Sequence, residues 1–260
     1  MALADIIIIN SRGGGAFVSR WLHVVVGITW IGLLYYFNFV QVPAFAEMEA
    51  AARNNAVDKL ASRALWWFRW AAVATVITGI SILVFQGGNG GKLQITNADY
   101  MKSVPGMSIA TGILLALTMF ANVWLVIWPN QKKVIANARN VQAGGEADPT
   151  AAAAGRKALL ASRMNAIFSF TMLFFMVATG HLFELTGGMW KVFPSSSDRG
   201  IYWAIAGIIW LVLELNALGV IGGVKANATN WMFESHKNAL IAGGVLVVVY
   251  YLVFYFTLKS

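Results

Sequence analysis

The sequence predicts an all-α protein, a polytopic membrane helix bundle with about six transmembrane helices. Of its 260 residues, 58% are hydrophobic and only 12% are charged, and the mean hydropathy is +0.66. Those values are typical of a protein that crosses a membrane several times. Six apolar segments approach or exceed the roughly 20 residues that a spanning helix requires, and turn-forming residues separate them.

The six segments follow one another in what we expect to be a single integral membrane domain, residues 1–260, without an internal repeat. The predicted spans are Ala16–Phe45, Leu65–Phe85, Met107–Trp128, Asn165–Leu185, Ile201–Ile221 and Leu240–Leu258. Turn signals such as Pro129-Asn130 and Gly222-Gly223 mark the breaks. The longest polar stretch, residues 130–163, is predicted to be a loop that carries short helices on the membrane surface.

Lysine and arginine are divided unevenly between the two sides of this topology. Twelve of the 19 follow spans one, three and five, and seven lie on the opposite side. The positive-inside rule therefore places the 130–163 loop in the cytoplasm and both termini in the periplasm of a bacterial inner membrane. The net charge of +8 is explained by these membrane-flanking residues, so the lipid bilayer is the expected partner and nucleic acid is not.

The histidines are the strongest candidates for a cofactor site. His23 lies in the first span and His181 lies near the end of the fourth, while the third histidine, His236, is predicted to be a solvated helix start. At 1.5 Å per residue, His23 is about 10 Å and His181 about 6 Å from the same membrane surface. Two imidazoles at matched depth can ligate one b-type haem from its two faces. The predicted metal ligands are therefore His23 and His181.

Neighbouring residues fit the same prediction. Gly27, one turn after His23, would let a flat porphyrin approach the backbone, and Arg20, one turn before it, could pair with a haem propionate or a small organic anion. Glu184 stands beside His181 and could orient a ligand or accept a proton. Glu214 is the one carboxylate near the middle of a span, so it is a second proton-handling candidate. We consider Glu184 and Glu214 the candidate catalytic residues.

A structural interpretation exists for each of these residues. A histidine or carboxylate in a membrane helix can serve only to form a hydrogen bond with a neighbouring helix. Asn122 and Asn165 are predicted to form such interhelical hydrogen bonds. With no cysteine, this sequence offers no thiolate metal site and no attachment motif for c-type haem.

Three stretches together resemble a known family. They are Arg20-Trp21-Leu22-His23 through Trp30-Ile31-Gly32, Asn122-Val123-Trp124-Leu125-Val126-Ile127-Trp128-Pro129-Asn130-Gln131-Lys132-Lys133-Val134, and Ser162-Arg163-Met164-Asn165 through to His181. This set is similar to the membrane domain of bacterial urate hydroxylase, the membrane-bound urate oxidase. The resemblance implies urate oxidation coupled to a C-terminal cytochrome c domain. Because this sequence has no CxxCH motif, we expect that domain to be lacking and electrons to pass to a separate cytochrome c or another membrane subunit.

Three functions are compatible with these features of the sequence. The first is a membrane-bound b-type haem oxidoreductase or electron-transfer subunit of the urate hydroxylase type. The second is a haem-free accessory subunit of a larger respiratory complex. The third is a transporter of an organic anion held by Arg20, although the sequence shows neither inverted repeats nor broken spans. Whether the chain is itself an enzyme is left open by its sequence.

Overall fold

A computed structural model of the protein describes residues 12–86, 94–183, 190 and 193–259. In this part of the chain, six helices are long and apolar enough to cross a membrane. They are α1 (Gly13–Glu47), α2 (Ala50–Phe85), α3 (Val104–Gln142), α4 (Ala151–Phe183), α5 (Ser196–Ala217) and α6 (His236–Leu258). The predicted all-α polytopic bundle is confirmed, and it is a multi-pass membrane protein.

Helix α4 is the central element of the bundle. Of its most apolar window, 56% is buried by other helices, against 22–33% in the other five. It packs mainly against α3 and α6, while α1 packs mainly against α2. Large apolar side chains such as Ile28, Leu125 and Phe256 are 68%, 75% and 77% exposed. An outward apolar surface of this kind suits a lipid environment rather than water.

Three helices extend furthest beyond their predicted spans. Helix α2 begins at Ala50, α4 begins at Ala151, and α3 continues to Gln142, so much of the polar stretch 130–163 extends membrane helices instead of forming surface helices. An ion pair between Arg139 and Asp58 joins the extensions of α3 and α2. A segment rich in charged residues can continue a helix beyond the bilayer, because the backbone hydrogen bonds of a helix do not depend on the polarity of its side chains.

The predicted break at Pro129 is not found, and a wider turn explains why. The segment Asn122–Ile127 is a π-helix, in which the Trp128 N–H donates to the carbonyl of Val123, five residues back. Helix α1 repeats the arrangement: Tyr36–Gln41 is a π-helix immediately before Val42 and Pro43. Proline lacks an N–H and its ring collides with the carbonyl four residues earlier in an α-helix. Widening the preceding turn lets both helices continue past their prolines.

The connection between α5 and α6 is fixed to the central helix. Gly222 and Gly223 have φ of +74° and +69°, and a Cβ on Gly222 would collide with Thr229, so the predicted glycine turn is confirmed. Arg163 of α4 is 5% exposed and its guanidinium donates to the Phe233 carbonyl. These contacts hold the connection against the end of α4 that also carries the polar extension.

Candidate functional site

His23 lies half-buried on the face of α1 that packs against α2. Its Nδ1 is 2.9 Å from the carbonyl oxygen of Thr75 and 3.1 Å from Oγ1 of Thr78. The ring lies over Gly79, where a Cβ would come within 3.1 Å of its Cε1. The hydrogen-bonding role considered for this histidine is therefore present, and it involves one ring nitrogen.

These contacts determine which nitrogen of His23 carries the proton. A carbonyl oxygen can only accept a hydrogen bond, so Nδ1 is the protonated nitrogen that donates to Thr75. The Thr78 hydroxyl donates to Ala74 O at 2.7 Å, so it also receives the Nδ1 proton as an acceptor. In a neutral imidazole the lone pair is then on Nε2. This Nδ1-to-carbonyl arrangement is the one that commonly orients metal-binding histidines.

His181 lies in a different local environment. It is exposed in the terminal π-helical turn of α4, Thr179–Phe183, and its Nδ1 is 3.2 Å from the Val177 carbonyl. It lines an open apolar groove of about 490 Å³ together with Phe170 of α4 and Val247 of α6. An exposed imidazole in an apolar groove has its second nitrogen available to a bound group.

The structure sets the relative heights of the two histidines. Tyr35 of α1 and Ser169 of α4 are hydrogen-bonded at 2.8 Å, and the Tyr35 ring also contacts Phe170, 6.0 Å between centroids. His23 precedes Tyr35 by twelve residues and His181 follows Ser169 by twelve. Twelve residues correspond to about 18 Å of helix. The two helices run in opposite directions, so both histidines lie at a similar height on the same side of this contact.

No direct contact between His23 and His181 is found within the described ranges: the first faces α2 and the second faces the groove beside α6. Arg20 is exposed one turn before His23, and none of its polar atoms has a hydrogen-bond or charged partner in the described parts of the chain. Space is open beside Gly27, where a Cβ would meet no atom within 4 Å. Glu184 lies outside the described residues.

Glu214 belongs to a separate polar cluster within the bundle. The Nδ2 of Asn122 donates to Glu214 Oε2 at 3.2 Å and to Asn165 Oδ1 at 3.0 Å. Asn165 in turn donates to the Met119 carbonyl at 2.9 Å. All three polar side chains are buried, at 8% exposure or less. The predicted interhelical hydrogen bonds of Asn122 and Asn165 are confirmed, and they include Glu214.

The surface of α2 that receives His23 was not predicted from the sequence; it is formed by Thr75, Thr78 and Gly79. The available signal was their helical spacing, since residues three and four apart lie on one face. That spacing alone does not identify a partner 52 residues away. Arg69 was also not predicted as a functional residue: it is 8% exposed, whereas the sequence indicated only a membrane-flanking charge.

Comparison with known proteins places part of the chain beside a described family. The family described as "Urate oxidase N-terminal" matches residues 93–192. The match contains Asn122, Asn165 and His181, and it does not extend to His23. No curated protein and no solved structure matches the chain significantly.

Proposed function

We propose that this urate-oxidase-like membrane protein is a b-type haem oxidoreductase or electron-transfer subunit. The premise is the match of residues 93–192 to the urate oxidase N-terminal family. The proposed reaction is the hydroxylation of urate, in which water supplies the oxygen and two electrons and two protons are released. The electrons pass one at a time to two molecules of a separate cytochrome c or to another membrane subunit. The observation that carries the proposal is the matched height of His23 and His181, which follows from the Tyr35–Ser169 contact.

The residues around His23 fit a haem ligand. Nδ1 is held by the Thr75 carbonyl, so Nε2 is the nitrogen with a lone pair for iron. The open space at Gly27 adjoins the same helical face, since four residues bring a side chain back to nearly the same direction. His181 supplies a second accessible imidazole from the groove. The proposed bis-histidine site belongs to α1 and α4, the two helices that carry these imidazoles.

A haem bound at this site would supply one-electron redox chemistry to the membrane protein. Arg20, exposed one turn from His23, would bind a haem propionate or the urate anion through its planar guanidinium. Oxidation of urate releases protons, and Glu184, three residues after His181, is the proposed acceptor beside the haem. Glu214 lies with Asn122 and Asn165 on the other side of the Tyr35–Ser169 contact, so its proposed role is in a proton path away from the haem. Glu214 is held by Asn122, which fixes the orientation of its carboxyl group.

The proposed location is the bacterial inner membrane with both termini in the periplasm. The excess of basic residues beside the polar ends of α2, α3 and α4 favours that side as the cytoplasmic one. His23 and His181 then lie in the periplasmic half of the bilayer. A redox centre there would be close to a cytochrome c in the periplasm.

Anaerobic addition of urate to the purified, oxidised protein tests the function. We expect the haem absorption to change to that of the reduced form, and added oxidised cytochrome c to be reduced in turn. Xanthine, a purine that differs from urate at a single ring carbon, is the matched control. A protein that binds haem but is reduced by neither purine would contradict the urate assignment. A haem-free protein that copurifies with other subunits would instead indicate the accessory role.

A further inference from the structure

A buried arginine with no counter-ion among the described residues lies in α2. Arg69 is 8% exposed, and its Nε and Nη1 are enclosed without a hydrogen-bond acceptor. Its guanidinium carbon lies 3.2 Å from the ring centroid of Trp128 and 5.8 Å from that of Trp124. A buried guanidinium almost always has an acceptor, because desolvating a charge without one is costly.

A second unpaired donor lies beside it. The indole Nε1 of Trp124 is buried and has no acceptor. Because the Arg69 guanidinium carbon lies 5.8 Å from the centroid of the Trp124 ring, the unpaired N–H donors of both residues lie in one region between α2 and α3. Unpaired donors around a fixed positive charge indicate an anion with several oxygen acceptors.

The described acidic residues are engaged elsewhere or remote. Asp58 pairs with Lys59 and Arg139, Glu234 pairs with Arg156, and Glu214 accepts from Asn122. Within the described ranges no carboxylate lies within 4 Å of Arg69, and of the eleven acidic residues only Asp5 and Glu184 fall outside those ranges. The stack on Trp128 contributes a cation–π attraction, but it provides no acceptor for the N–H groups.

The position of Arg69 indicates the source of the anion. On the same turns of α2, Trp66, Trp67 and Trp70 are 48%, 61% and 48% exposed. Exposed tryptophans mark the level of lipid headgroups in membrane proteins. A phospholipid phosphate is the most abundant oxyanion at that level.

We propose that Arg69 and Trp124 form a binding site for the phosphate group of an anionic phospholipid, with Trp128 supporting the guanidinium from one face. The flat, weakly hydrated guanidinium suits a phosphate better than an ammonium does. The site is separate from His23 and His181 and does not depend on haem. It would anchor the lipid between α2 and α3 at the end of the bundle that carries the basic extensions.

Native mass spectrometry of the full chain tests the site. The protein is taken from nanodiscs that contain equal amounts of phosphatidylglycerol and phosphatidylcholine, and retained lipids are counted. We expect one phosphatidylglycerol to be retained by the wild type and its retention to fall at least tenfold in Arg69→Gln. Arg63→Gln removes an exposed arginine from the same helix and should retain the lipid. Arg69→Lys keeps the positive charge but loses the planar guanidinium, so its retention of phosphatidylglycerol should be intermediate between those of the wild type and Arg69→Gln.

A second variant keeps the test valid if Arg69→Gln does not fold. Trp124→Phe keeps an aromatic ring and removes the indole N–H together with the five-membered ring that carries it, so it should fold and retain less phosphatidylglycerol than the wild type. Equal retention by the wild type, Arg69→Lys and Trp124→Phe would overturn the proposal. A parallel titration with inorganic phosphate distinguishes the sources: Arg69-dependent binding of phosphate without lipid retention would support an oxyanion site and reject the lipid as its ligand.

Discussion

The hydroxyl groups of Tyr35 and Ser169 lie 2.8 Å apart and fix the register of α1 against α4. Counting twelve residues along each helix from this contact leads to His23 in one direction and His181 in the other. The two imidazoles therefore share a height about 18 Å from the contact. This relationship does not depend on which side of the membrane faces the cytoplasm, and it is the structural basis for the proposed haem site.

The Thr78 hydroxyl should influence how firmly His23 holds a haem. Thr78→Val removes one acceptor of the Nδ1 proton and leaves the carbonyl of Thr75 in place. Residues that orient a metal-binding histidine typically contribute 10–100-fold to affinity, so we expect a loss of about tenfold for this partial change. The measurement is haem retention during serial dilution. Ser81→Ala, which alters an exposed hydroxyl bonded within α2, should behave as the wild type.

The space beside Gly27 provides a test of where a haem would lie. Gly27→Ala meets no protein atom within 4 Å, and alanine is the better helix former by about 1 kcal/mol. Thermal stability without haem should therefore stay level or rise, while haem binding should weaken. Gly32→Ala also meets no atom within 4 Å, but it lies on the opposite face of α1 from His23. Equal haem binding by the two variants would place the haem away from Gly27.

Glu214 can be tested separately for a structural role and for a proton-handling role. Glu214→Leu leaves a buried N–H of Asn122 without its acceptor, which should cost about 1–3 kcal/mol of stability. Glu214→Gln keeps an acceptor oxygen, so its thermal unfolding in detergent should lie close to that of the wild type. If Glu214 accepts protons, the glutamine variant should nevertheless lose urate-dependent reduction of cytochrome c. A leucine variant as stable as the wild type would contradict the hydrogen-bonded role.

The sequence predicts the number and order of the spans well, because apolar length alone selects helices for a bilayer. The predicted helix break at Pro129 was wrong. A proline normally ends a helix, and no local sequence signal indicates the π-helical turn that accommodates this one. A second feature that the sequence did not predict is the burial of Trp190, which is 6% exposed and packed against Phe183 and Phe254. Both outcomes depend on packing that composition does not encode.

The candidate site was predictable in part. The depth of His23 and His181 follows from helix rise and topology, and the interhelical role of Asn122 and Asn165 follows from the polarity of amides in apolar spans. The partner of His23 did not follow, because Thr75 contributes a backbone carbonyl that any residue would provide. The sequence groups Arg69 with the other membrane-flanking charges, because its burial and its unpaired donors depend on how α2 packs against α3.

The most direct test of the account is a dithionite-reduced minus oxidised absorption spectrum of the purified protein, compared with three histidine variants. We expect a b-type α-band in the wild type and in His236→Ala, whose histidine is the first residue of α6, and its loss in both His23→Ala and His181→Ala. A featureless spectrum from folded wild-type protein supplied with haem would contradict the central claim, as would a band that survives both substitutions.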